Sequence, residues 1–333
     1  MRYGVGILGL LLASVASVAH ADSSPWRVVD RIAGADGGWD YASVDPDMGR
    51  LYVARSNAVM MVDLATGKVT DAFAPAGRAH STLPIDQGRV LVETDGTAGT
   101  TRFIDTATAK LIAEVPTGKK PDAAFVDSAT GLLVVMAPGS NAVVLIDTKT
   151  HAVVRTITVS GGLEAGEGDG KGHAFINLEE SNALAEVDLN AGTLLRTIPL
   201  TGCDGPTGLA LIGGGRVISA CANGVVTLVD PAVGKVVQTL PVGKGPDAVI
   251  LDSAHGLAFV PSGQSGDLTA IVIDKPLLQV VATIATARGA RTGAIDPRTG
   301  RIYLPSAEYL PAKPGERPQM KPGSFKVLVV GTK

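Results

Sequence analysis

Seven polar residues sit at steps of 41, 41, 42, 43, 40 and 44 along the chain: Asp40, Ser81, Asp122, Glu164, Thr207, Asp247 and Arg291. Tyr41 and His80 stand next to two of them. Gathered in space, the set would offer four carboxylates, a guanidinium and two hydroxyls. Clustered carboxylates repel unless they meet a cation, a hydrogen-bond donor or water. Oxygen donors suit a hard cation such as calcium. His80 added to carboxylates suits a transition metal. Asp122, Glu164, Asp247 and His80 are therefore candidate ligands for a divalent cation. The whole set, Tyr41 included, is a candidate site for a small polar ligand, peptide or protein. The plainer alternative is that each carboxylate caps backbone amides where one structural unit meets the next. No C-x-x-C, H-E-x-x-H or G-x-S-x-G occurs, and no catalytic residue is assigned. Gly213-Gly214-Gly215 falls in a hairpin turn, which argues against a phosphate loop. His151 and His255 fall in turns, and His173 opens a strand with no assigned role.

These positions can meet only if the chain repeats a unit that brings them together. Residues 121–159 display that unit: four short apolar or alternating runs, separated by turn formers such as Asp127-Ser128-Ala129-Thr130-Gly131 and Pro138-Gly139-Ser140-Asn141. Four antiparallel strands in about forty residues cannot bury both faces of their sheet alone, and stacked copies can. An Asp closes the third run at Asp63, Asp105, Asp147, Asp188, Asp230 and Asp274, where a turn role is expected. The period predicts an all-β, seven-bladed β-propeller of four-stranded blades. The seven polar residues then enter the seven innermost strands and ring one channel mouth. The nearby loops between second and third strands carry Arg55, Glu93, Asn177, Glu179, Asn223 and Glu308.

The run from Trp26 to Ala33 reads as a fourth strand lacking its first three, and residues 294–330 supply three strands lacking a fourth. Gly331 stands where the repeat Asp belongs. The N-terminal strand is thus expected to complete the last blade and remove the open edge. Two blades depart from the pattern. The fourth opens on the polar, Gly-rich residues 163–168, read as a weak inner strand. The seventh carries a Pro-rich insert at about 307–324, expected to be extended and unable to pair, either as a disordered loop or as a flap over one face.

Residues 1–21 read as a secretory signal: Arg2, an apolar core from Val5 to Val18, and the small-x-small site Ala19-His20-Ala21. Residues 22–333 would be a single propeller domain, periplasmic or secreted. No later stretch approaches twenty apolar residues, so no membrane span is expected. The 29 basic and 32 acidic side chains give a net charge of −3, which argues against strong electrostatic nucleic-acid binding. The two cysteines, Cys203 and Cys221, are expected to pair in an oxidising compartment. A monomer is expected.

Residues 45–53 (DPDMGRLYV) and 296–304 (DPRTGRIYL) resemble the D-P-x-T-G-x-x-Y-V signature of YVTN-type propeller repeats. Val62-Asp63-Leu64-Ala65-Thr66-Gly67-Lys68-Val69 resembles the second half of that repeat. Ala54-Arg55 and Pro305-Ser306 replace its Thr-Asn. The resemblance extends over residues 22–333 and is to the YncE-like exported propellers. It implies the fold, and it implies partners that include DNA or other ligands; its motif is structural and carries no catalytic residue. The expected function is a binding or interaction module. The alternatives are a metal-dependent hydrolase of the lactonase kind and a periplasmic redox accessory protein. No C-x-x-C-H occurs, which excludes covalent haem.

Overall fold

Valine is the commonest residue of the short runs, with alanine and leucine next, and Gly- and Asp-containing turns separate many of them, so the runs become strands and the junctions tight turns. The computed structural model describes residues 24–311 and 318–332. Seven four-stranded antiparallel sheets form seven propeller blades. Blades 1 to 6 each take four consecutive strands, beginning at Trp39, Ala79, Ala124, Leu163, Pro206 and Ile250. Blade 7 takes three strands from Ala294 to Thr332, and its outer strand is Trp26–Ala33. That strand pairs antiparallel with Lys326–Thr332, from Trp26 opposite Thr332 to Ala33 opposite Lys326. The residues expected to carry the signal lie outside the described residues. Among the described residues, no helix is long and apolar enough to cross a membrane.

The core lies between neighbouring blades rather than inside any one of them. Met136, Val143 and Leu145 of blade 3 pack against Ala174, Ile176 and Val187 of blade 4, all buried. Burial of such side chains is worth roughly 1.5–3 kcal/mol each, which a lone four-stranded sheet could not collect. The repeat Asp residues do hold turns. Asp147 Oδ1 accepts the amides of Lys149 at 2.9 Å and Thr150 at 2.7 Å, and Asp63 does the same for Ala65 and Thr66. Asp274 does not belong to that series. In blade 6 the third strand runs Asp267–Val272, and Val272 opposite Leu257 occupies the register that Asp147 holds opposite Leu132.

The polar run of blade 4 forms a full six-residue inner strand, Leu163–Gly168, whereas those of blades 3, 6 and 7 keep three residues each. Its glycines explain this. A Cβ at Gly166 would come within 2.9 Å of Ile176, and one at Gly168 within 2.5 Å of the Asp127 carboxylate. Gly166 is thus required by close packing on the second strand of its own blade and Gly168 by close approach to blade 3, and Glu167 Oε2 ties the strand forward by accepting the Leu211 amide at 2.8 Å. The flanks of the Pro-rich insert also differ from expectation. They pair: Tyr309 bridges Met320, Leu310 donates to the Gln319 carbonyl and Lys321 to the Glu308 carbonyl, both at 2.8 Å.

A candidate ligand site at the channel mouth

The inner strands lose their register at the predicted mouth positions. Pairing jumps from Trp39 to Ala42, from Ala79 to Thr82, from Leu163 to Gly166 and from Pro206 to Leu209. In blades 3, 6 and 7 the strand starts only beyond Asp122, Asp247 and Arg291. A bulge re-aims side chains that a regular strand would alternate between faces. The mouth residues are therefore released from the alternation of a regular strand.

Asp40, His80 and Asp122, from blades 1, 2 and 3, come together. His80 Nδ1 lies 2.7 Å from Asp40 Oδ2 and 3.7 Å from Asp122 Oδ1. Blade 2 thus contributes His80, one residue ahead of the aligned Ser81. Ser81 is buried and its amide donates to Thr94 Oγ1 at 2.9 Å. Across the mouth, Arg291 Nε meets Asp247 Oδ2 at 2.6 Å, and Arg291 Nη2 lies 3.8 Å from Asp40 Oδ1. Tyr41 extends from blade 1 and packs against the hydrophobic cluster shared by blades 3 and 4. Thr207 is buried, and its hydroxyl donates to the Pro246 carbonyl at 3.0 Å, which ties blade 5 to blade 6. The Thr207 hydroxyl therefore serves the scaffold.

The capping alternative does not describe these carboxylates. Among the described residues, none of Asp40, Asp122, Glu164 and Asp247 accepts a backbone N–H, and their only hydrogen bonds are those to His80 and Arg291. Burial, then the charge of Asp40, pushes Asp122 up to about 7. Burial, then Asp122 and Asp247, pushes Glu164 up to about 9. The Tyr41 hydroxyl is held well above its ordinary value by burial and by Glu164 and Asp247. Burial opposes charge on His80, but the Asp40 hydrogen bond and the Asp122 charge raise its pKa overall. Burial also raises Asp247, against the pull of Arg291. Burial is the largest cause for Asp122, Glu164, Asp247 and Tyr41, and the neighbouring carboxylates push each of them in the same direction.

Of the loop residues read as neighbours of the mouth, Glu179 alone adds its charge to Glu164 and Asp247. It also lines a depression of about 330 Å³ with Asp247, Gln264 and Arg291. Arg55 is buried instead. Its guanidinium donates to the carbonyls of Ala35, Gly37 and Gly38 and stacks 3.6 Å over Phe325. Asn177 is buried and donates to the carbonyls of Thr207 and Gly208. Glu93 is buried beside Arg102, Asn223 bonds Gly202 and Asp204, and Glu308 pairs Lys321 and Lys326. Arg78 was not legible as a site residue, and its positive charge is felt at both His80 and Asp122.

The depression shares Gly263 and Gly289 with a larger groove of about 730 Å³ lined by Tyr309, Leu310, Pro311 and Pro318 at the foot of the Pro-rich insert. Trp39, next to Asp40, packs against Tyr309 with ring centroids 6.4 Å apart. The described flanks of the insert therefore lie beside the acidic mouth.

No family model matches the chain, and no curated protein matches it. The YVTN resemblance accordingly carries no more than the propeller fold, which solved structures share. A chain of the mitotic checkpoint complex aligns with TM-score 0.73 at 13% identity, covering 99% of this chain and 98% of that one. The WD40 repeats of RRP9 align with TM-score 0.73 at 10% identity, covering 94% and 98%. Hydrazine synthase of Kuenenia stuttgartiensis aligns with TM-score 0.69 at 17% identity, covering 87% and 96%. At these identities the likeness is one of fold: a seven-bladed, all-β propeller.

Proposed function

We propose that this protein is an exported, monomeric propeller that works as a binding module, with the acidic channel mouth as its ligand site and a positively charged polar group as its occupant. One observation carries the reading: carboxylates from four blades face one mouth, none accepts a backbone amide, and Arg291 alone among the ring positions offers positive charge. A bound cation would let Asp122 and Glu164 ionise without repulsion. Suitable ligands are a small amine, or a Lys or Arg side chain of a peptide or protein partner. Export is supported by the Cys203–Cys221 disulfide, which persists in oxidising compartments, and by the leader-like residues 1–21. A second reading, a metal-dependent hydrolase acting on lactones, draws on the meeting of Asp40, His80 and Asp122. It predicts lactone turnover that a chelator removes.

Thermal shift measurements with spermidine, Lys/Arg peptides and divalent cations test the module. A stabilising shift by at least one probe is expected, with its loss in the Asp122→Asn/Asp247→Asn double variant. An unchanged shift in the double variant would overturn the site.

A further inference from the structure

We infer that Asp40, His80 and Asp122 form a site for one first-row divalent transition-metal ion. This rests on the mouth being a ligand site and names the occupant of one sector of it. The donor atoms of the three side chains all lie within 4.8 Å of one another. Tetrahedral ligands at 2.0–2.2 Å from a metal stand roughly 3.3 Å apart. The 2.7 Å and 3.7 Å separations from His80 Nδ1 depart from that by about half an ångström, within reach of small side-chain rotations. The side chains are 20%, 12% and 19% exposed, shielded from bulk water yet open on the channel side.

Two further features point to a metal rather than to a chance contact. The His80 ring is seated: a Cβ on Gly96 would come within 2.5 Å of its Cδ2 and 2.6 Å of its Nε2. Gly96 thus admits the far edge of the imidazole, and Nδ1 faces the two carboxylates. The Asp122 carboxylate accepts no hydrogen bond among the described residues, although it faces His80. A mixed imidazole and carboxylate set selects transition metals over calcium and magnesium, which prefer oxygen ligands throughout. Glu164 and Asp247, read from sequence as possible ligands, are not in this set. They and Arg291 form the remaining part of the mouth, free to hold an organic group beside the metal.

Metal-stripped protein titrated with zinc by calorimetry, and with cobalt by visible absorption, tests the site. One equivalent of zinc is expected, with calcium and magnesium bound at least 100-fold more weakly. His80→Ala, Asp40→Asn and Asp122→Asn should each lower zinc affinity at least 100-fold. Gly96→Ala keeps all three ligands and pushes the ring, and it should weaken zinc at least 10-fold and alter the cobalt spectrum while its melting temperature in EDTA stays within a few degrees. The inference is overturned by no zinc binding, by binding that His80→Ala and Gly96→Ala leave intact, or by calcium binding as tightly as zinc. If zinc fails while spermidine still stabilises the protein through Asp247, the metal inference falls alone. If neither binds, the reading of the mouth falls with it.

Discussion

At Glu164 burial and neighbouring negative charge act in the same direction. Its carboxyl is pushed up to about 9, and Asp122 and Glu93 are each pushed up to about 7, in every case chiefly by burial. A carboxyl whose folded pKa exceeds its unfolded one binds more protons when folded. Its stabilising contribution is complete below the unfolded value, near 4, and is lost as pH rises through the folded value. The turn residues Asp63, Asp105 and Asp147 shift the opposite way through hydrogen bonds from Thr hydroxyls and backbone amides, so their contribution is lost only as pH falls into the acid range. Maximal stability is therefore expected in mild acid. In EDTA and without added cations, the melting temperature should fall steadily from pH 5 to pH 9. Glu164→Gln should flatten that slope and raise stability at pH 8, by at most about 5 kcal/mol. A melting temperature that climbs with pH would contradict this account of the mouth.

Strands, bulges and cross-links make up the next scale. Inner-strand irregularities free the mouth residues. Outer-strand bulges have a different use: Val29, Ile112, Val154, Leu195, Val237 and Val281 each fall out of register with the neighbouring strand. A bulge twists an exposed edge and discourages pairing with another chain. The disulfide joins the turn just before blade 5's inner strand to the end of its second strand, with Cα atoms 5.4 Å apart across 18 residues. Closing a loop of that length stabilises by about 3 kcal/mol through the unfolded chain. Cys203→Ala/Cys221→Ala should lower unfolding free energy by about that amount in denaturant titrations. A change below about 0.5 kcal/mol would mean that the blade is held by packing alone.

The ring as a whole depends on one pairing that joins the two ends of the chain. Trp26–Ala33 covers the edge of Lys326–Thr332, and Trp26 reaches Phe259 of blade 6 with ring centroids 5.6 Å apart. Blades 7 and 1 are also tied at the mouth, where the Thr292 hydroxyl donates to the Asp40 carbonyl at 2.8 Å. Removing residues 24–34 should therefore leave a bare strand edge, open the ring and give aggregated material in size-exclusion chromatography. A soluble truncated protein with the parent melting temperature would show that the closure is dispensable.

Much of this was legible in the chain because it is local and repeated. The forty-residue period, the Asp and Gly of each turn, and the split last blade depend on residues near one another in sequence. They predict seven blades, ring closure and a polar mouth. Long-range packing decided the rest. Periodicity aligned Ser81 with the mouth, yet the bulge in blade 2 turns His80 inward. It aligned Asp274 with the repeat acids, yet pairing places Val272 there. Arg55, Glu93 and Asn177 read as polar loop residues, yet the neighbouring blades enclose them. The Pro-rich flanks read as unpaired, yet Tyr309 and Met320 find each other outside their prolines. A sequence period sets how often a side chain recurs, whereas the register of each bulge and the contact between blades set where it points, and those are properties of the assembled ring.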